Sequence, residues 1–119
     1  MIVRDSEIGL STGQFNPGGS PIDLEHLARQ TMDDVEIQRE VLKMFSDQVR
    51  SVVEKMAPAA PKERFALAHS LKGSARSVGA FALADCAEEI ESRPEDETPL
   101  PHLSLLADEV CDFIASLKI

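Results

Sequence analysis

Apolar residues recur at intervals of three and four along most of this chain, the spacing of amphipathic helices. Such segments cover residues 23–30, 34–56 and 103–117. Asp23 is placed to cap the first, and either Asp33 or Asp34 the second. No segment shows the alternation of a half-buried strand, so the pattern predicts helices and no sheet. On the longest segment the apolar positions are Ile37, Val41, Met44, Phe45, Val49, Val52, Val53 and Met56.

Prolines and glycines mark the remaining helix boundaries. Pro61 suits the first turn of a third helix, because its ring fixes a helical φ and its missing N–H is not needed there. This helix is expected to run over 61–78, where Gly79 supplies a left-handed turn. A fourth helix is expected over 80–92, and an acidic loop over 94–101 leads to the last helix.

These elements predict an all-α fold, an up-down-up-down bundle of four long helices with a short additional N-terminal lid helix. The chain has 119 residues, which suits one domain. Residues 1–22 combine glycines and prolines without a sustained period, so we expect a flexible N-terminal arm there. The helical bundle domain is expected over 23–119.

Composition and charge exclude several classes of partner. The 12 Lys and Arg residues oppose 21 Asp and Glu, and this net charge of −9 disfavours nucleic acid. Aromatic residues make up 4% of the chain, all of them Phe, so the usual stacking platforms for bases or sugars are missing. No apolar run has the length of a membrane span, and the first residues lack a signal-peptide pattern. We therefore expect a cytoplasmic protein with no nucleic-acid or membrane partner.

The cysteines and histidines do not indicate a metal centre. Cys86 and Cys111 stand in apolar helical segments, which favours buried free thiols over a disulfide. No spacing among the Cys and His residues is that of metal ligands, so we expect no metal and no bound cofactor. His26 and His102 are expected on the surface or at a helix end.

The third predicted helix displays a histidine to solvent. If Leu71 points to the core, a helical wheel places His69 about 160° away from it. An exposed, neutral imidazole keeps a lone pair on one ring nitrogen, which can act as a nucleophile. On Leu71's side of the wheel lie Leu67, Ala68, Ala75 and Val78, and around His69 lie Phe65, Ala66, Lys72, Gly73 and Arg76.

Two neighbours of this histidine favour transfer of a charged group. Lys72 lies three residues further on, where its ammonium can pair with negative charge at the ring. Gly73 costs about 0.8–1 kcal/mol relative to alanine inside a helix, and its missing side chain would let another macromolecule approach. Phe65 and Ala66 would supply an apolar docking surface. Arg76 would either meet an acidic partner or serve helix solubility.

A resemblance to histidine-containing phosphotransfer (HPt) domains is carried by Ala-His-Ser-Leu-Lys-Gly-Ser-Ala at 68–75 and Val-Gly-Ala at 78–80. The likeness in helical layout extends over about 23–117. In that family a histidine accepts a phosphoryl group from the aspartate of one receiver domain and passes it to another. The resemblance implies that His69 is the phosphoryl acceptor and donor, and that Lys72 is the charge partner of the phosphate.

Some members of that family place a Gln or a carboxylate against the ring nitrogen that is not phosphorylated. Counting back from a hairpin at Gly79, Glu91 lies at about the level of His69, with Glu88 one turn away. Glu91 is therefore the candidate partner of the His69 Nδ1 atom. The alternative is that Glu91 is a solvated helix charge.

We interpret the sequence as that of a phosphocarrier without an ATP-binding or kinase site of its own. Its expected partners are the receiver domains of a hybrid sensor histidine kinase and of a response regulator, with Mg²⁺ on the partner receiver. A monomer is expected. Two alternatives remain: a helical module that docks a receiver or kinase without transfer, and the dimerisation and phospho-acceptor domain of a sensor kinase.

Overall fold

The computed structural model of the protein describes residues 20–117, and within them it contains five α-helices and no strand. The all-α prediction is confirmed. The up-down-up-down order with a lid stays a prediction, and most of the predicted arm, residues 1–19, lies outside the described part. The helices are α1 (Leu24–Gln30), α2 (Val35–Met56), α3 (Pro61–Val78), α4 (Phe81–Ser92) and α5 (Leu100–Ser116).

The helix ends follow the local chemistry of the sequence. The Asp23 carboxylate accepts a hydrogen bond from the His26 backbone N–H at 3.1 Å, and Asp34 caps α2 in the same way. The last helix was predicted from residue 103, yet α5 begins at Leu100 and includes Pro101. The reason is that proline is compatible with the first turn of a helix as well as with a loop.

The core is formed where α2, α3, α4 and α5 meet, each of them in contact with its neighbours around a closed ring. As the wheel predicted, Ala68, Leu71, Ala75 and Val78 are buried, and Leu67 is partly buried against the same core. Cys86 and Cys111 are free, buried thiols. Burial, with a smaller contribution from the charge of Glu89, raises the pKa of the Cys86 thiol to about 11. Within residues 20–117 no helix has the length and apolar character needed to cross a membrane.

The apolar stripe predicted for α2 is wider than the face that α2 buries. Phe45 and Val49 are in the core, but Met44 is 70% exposed and Ile37 is also exposed. The reason is that, among the helices of residues 20–117, α2 packs mainly against α3 and α5, so the edges of its apolar stripe extend past both neighbours. The surplus apolar surface therefore faces solvent.

The turn between α3 and α4 is tied to the start of α1. Gly79 adopts φ +89°, and its carbonyl accepts a 2.9 Å hydrogen bond from the Asp23 N–H. A Cβ at position 79 would lie 2.8 Å from the Asp23 carbonyl oxygen, so glycine is required here for space as well as for φ. Ile22 is fully buried, so the packed region includes the last residue of the predicted arm.

Arg64, near the start of α3, is a buried cation that sequence reasoning did not single out. The residue is only 3% exposed. Its guanidinium donates hydrogen bonds of 2.9–3.2 Å to four backbone carbonyl oxygens, those of Met56, Ala57, Ala59 and Pro94. One side chain thus joins the end of α2, the turn into α3 and the loop after α4.

Candidate functional site

His69 lies on the outer side of α3, held there by the opposite, buried side of the helix. Ala68 and Leu71 are completely buried, so the helix cannot rotate without exposing core side chains. The His69 side chain is 65% exposed. The imidazole is therefore accessible to another macromolecule while its backbone is fixed by the bundle.

Glu91 of α4 contacts one nitrogen of this imidazole. The Glu91 Oε2 atom lies 2.7 Å from His69 Nδ1. An ionised carboxylate can only accept hydrogen bonds, so Nδ1 is the donor. In the neutral ring the lone pair is then on Nε2, and among the described residues none is bonded to that atom. The structure places Glu91 at the level that the hairpin count predicted.

Lys72 is bound to the same carboxylate. Its Nζ atom lies 2.6 Å from Glu91 Oε1, the oxygen that does not contact His69. The hydrogen bond from Lys72, and to a smaller extent that from His69, holds the pKa of Glu91 below its usual value. Sequence reasoning assigned Lys72 to a phosphate and Glu91 to the ring as separate partners. In the unphosphorylated protein the two side chains form one cluster.

A second ion pair joins α3 and α4 beyond this cluster. Arg76, predicted as a docking residue, is bonded to Glu88 of α4. Glu88 was predicted one turn away from the level of His69, and there it lies next to Arg76. The Arg76 guanidinium therefore faces a carboxylate of its own chain.

The surroundings of the ring combine apolar surface with open space. Phe65 stacks on His69, with ring centroids 6.1 Å apart and an angle of 6° between the planes. Phe65 and Ala66 are both exposed. A Cβ placed on Gly73 would meet no atom within 4 Å, so the space beside α3 at this position is empty. All three residues are thus accessible beside the imidazole.

A groove between α2 and α3 adjoins this surface and was missed by sequence reasoning. It has a volume of about 410 Å³, and the side chain of Gln48 at its edge donates a 3.4 Å hydrogen bond to Ser70, the residue after His69. The signal that could have found it is the apolar surplus on α2. The groove is lined by Val41, Met44, Phe45, Gln48, Ser74, Ser77 and Val78.

Comparison with known families agrees with this geometry. The family model of the Hpt domain matches residues 40–115, which include α3, α4 and most of α2 and α5. The chain belongs to the Hpt domain family. Membership implies histidine phosphotransfer in a phosphorelay, and Hpt domains in general interact with receiver domains. No curated protein and no solved structure gives a significant match.

Proposed function

We propose that His69 accepts a phosphoryl group from the phosphorylated aspartate of a hybrid sensor kinase's receiver domain and passes it to the aspartate of a response regulator. The observation that carries this proposal is the 2.7 Å contact of Glu91 with Nδ1 on a ring that is otherwise exposed. That contact favours the tautomer in which Nε2 is the nucleophile. Exposure lets a receiver bring its phosphoryl group to that atom.

The transfer step is a substitution at phosphorus. The Nε2 lone pair of His69 forms the N–P bond while the bond from phosphorus to the aspartyl oxygen breaks, and that electron pair returns to the receiver's carboxylate. The Nδ1 proton stays in its hydrogen bond with Glu91, which supports the positive charge that develops on the ring. Transfer to the second receiver reverses these bond changes. Mg²⁺ is expected on the receiver, where it would neutralise the phosphoryl oxygens.

The receiver is proposed to dock over α3 and the α2–α3 groove. Exposed Phe65 stacks on His69, exposed Met44 lines the groove, and both supply apolar contact area. Gly73 leaves room for the partner's backbone beside the ring. Arg76 would contribute at the rim, where its pairing with Glu88 limits the charge it offers to a partner.

We also propose that the four long helices run up-down-up-down, with α1 covering one end, in a monomeric cytoplasmic protein. The contacts of α2, α3, α4 and α5 around a common core support a bundle completed within one chain. The burial of Leu27 and the bond from Asp23 to Gly79 support a lid at the α3–α4 turn. A dimer in light scattering would instead favour the dimerisation domain of a sensor kinase.

The decisive experiment is phosphotransfer from receivers. Purified receiver domains carrying radiolabelled phosphoryl groups would be mixed with the wild-type chain and with His69→Gln. We expect label on the wild type that is labile in acid and stable in base, as a phosphohistidine is. The variant should take up none, because it lacks the nucleophile.

The matched control is His102→Gln, which removes another exposed histidine, on α5. It should accept label at the wild-type rate, and both variants should give the circular dichroism of the wild type. Label on His69→Gln would refute the assignment. A wild type that binds phosphorylated receivers but never takes up label would support the docking module instead.

A further inference from the structure

Glu91 occupies a position between two cationic or potentially cationic groups. Its Oε2 lies 2.7 Å from His69 Nδ1 and its Oε1 lies 2.6 Å from Lys72 Nζ. The Glu91 side chain is 14% exposed and that of Lys72 is 20% exposed, so the carboxylate and its ammonium are largely covered. Only the histidine extends into solvent. Lys72 is thus placed to affect the ring through Glu91 before any phosphate is present.

A carboxylate next to an imidazole has two opposing effects on a nucleophile. It orients the ring, and it also stabilises the protonated imidazolium. The imidazolium carries a proton on both nitrogens and has no lone pair on Nε2. A carboxylate with no other partner would therefore orient His69 and at the same time reduce the fraction of the nucleophilic form near neutral pH.

We propose that Lys72 is a positioning residue whose ammonium compensates the charge of Glu91, so that this carboxylate orients the His69 ring without stabilising its protonated form. The proposal deepens the proposed function, since a neutral ring is what phosphoryl acceptance requires. It differs from a role in which Lys72 acts only on the bound phosphate. If Lys72 acted only on the phosphate, the protonation of the His69 ring in the unphosphorylated protein would not depend on Lys72.

The other groups near the ring do not provide this compensation. On α3 the ring's direct neighbour is the uncharged Phe65. From α2, the uncharged Gln48 bonds to the adjacent Ser70. From α4, Glu88 is bonded to Arg76 and so adds little net charge. Lys72 is thus the cation that is bonded to the Glu91 carboxylate together with His69.

The test is an NMR titration of the His69 ring in the full-length, unphosphorylated chain. In Lys72→Met the midpoint of the titration should move to higher pH by about half a unit, the size expected when one charge is removed at a partly exposed site. Lys72→Arg, which keeps the charge, should stay at the wild-type midpoint. Arg76→Met is the matched control, because it removes one positive charge from the same helix at the neighbouring ion pair, and it should move the midpoint by less than half as much.

A double-mutant cycle with Glu91→Gln tests whether Lys72 acts through Glu91. In the Glu91→Gln background, Lys72→Met should move the midpoint no more than Arg76→Met does. Equal shifts in both backgrounds would mean that Lys72 acts on the ring directly, and a Lys72→Met midpoint equal to that of Arg76→Met would also overturn the proposal. Neither result depends on phosphotransfer, so failure here is distinguishable from failure of the receiver assay.

Discussion

Arg64 and His69 lie five residues apart on α3 and differ in how far their hydrogen-bonding groups are satisfied. The buried Arg64 guanidinium donates to four backbone carbonyls contributed by three segments of the chain. The exposed His69 imidazole uses one nitrogen on Glu91, and no described residue is bonded to the other. A saturated, buried polar group holds segments together, whereas a half-satisfied, exposed one is available for chemistry. The two roles are distinguished by burial and by whether any hydrogen-bonding atom of the side chain is left without a partner.

The largest expected effect is the loss of stability in Arg64→Met. This variant removes the Arg64 donors from four carbonyl oxygens, of which that of Met56 keeps the Ala59 N–H, and we expect the free energy of unfolding to fall by about 3 kcal/mol. Urea denaturation would measure it. The control is Arg50→Met. The Arg50 side chain is 62% exposed and its ion pair with Asp47 is long at 4.0 Å, so this variant should lose less than about 1 kcal/mol of unfolding free energy. Equal losses in the two variants would remove the distinction between Arg64 and a surface arginine.

Gly73 lies on the exposed side of α3, where substitutions should affect function and stability in opposite directions. Because a Cβ there meets open space, Gly73→Ala and Gly73→Gln should each stabilise the fold, by about 0.5–1 kcal/mol. The longer glutamine should nevertheless slow transfer from a receiver, since its side chain would stand beside His69. Urea midpoints and transfer rates of both variants would show the opposed effects. Unimpaired transfer by Gly73→Gln would mean that the partner does not approach α3 there.

The smallest expected effect is a dependence of stability on acid pH that originates at Glu91. The pKa of Glu91 is lowered in the folded state by Lys72 and His69, so its stabilising contribution is present above its ordinary value, about 4.5, and is lost as the pH falls below it. Wild type and Glu91→Gln should therefore differ in unfolding free energy at pH 6 and converge toward pH 3. A difference that is the same at both pH values would show that the carboxylate's charge does not stabilise the fold.

The sequence predicted those features that depend on local spacing. Asp23, Pro61 and Gly79 act within a turn of their own positions, so the helix boundaries near them could be read from residue type. The antiparallel count from Gly79 also placed Glu91 beside His69, because two helices joined by a tight turn leave little freedom of register.

Features that join distant segments could not be predicted in this way. The partners of Arg64 include Pro94, which is thirty residues away, and they are backbone carbonyls, which leave no side-chain pattern in the sequence. Exposure of Met44 depends on where α3 ends its contact with α2, and periodicity alone does not give that limit. The bond between Lys72 and Glu91 was missed because each residue had been assigned a different partner.

The hairpin around Gly79 also constrains how this chain can vary during evolution. His69 lies ten residues before Gly79 and Glu91 twelve after it, so both groups are about 15–18 Å along their helices from the same turn. One residue inserted between Gly79 and Glu91 would rotate the carboxylate by about 100° away from the ring. Single insertions and deletions within this hairpin should therefore be rare in relatives that keep the function. The number of residues that separates His69 and Glu91 from Gly79 is therefore under the same selection as the identity of these two side chains.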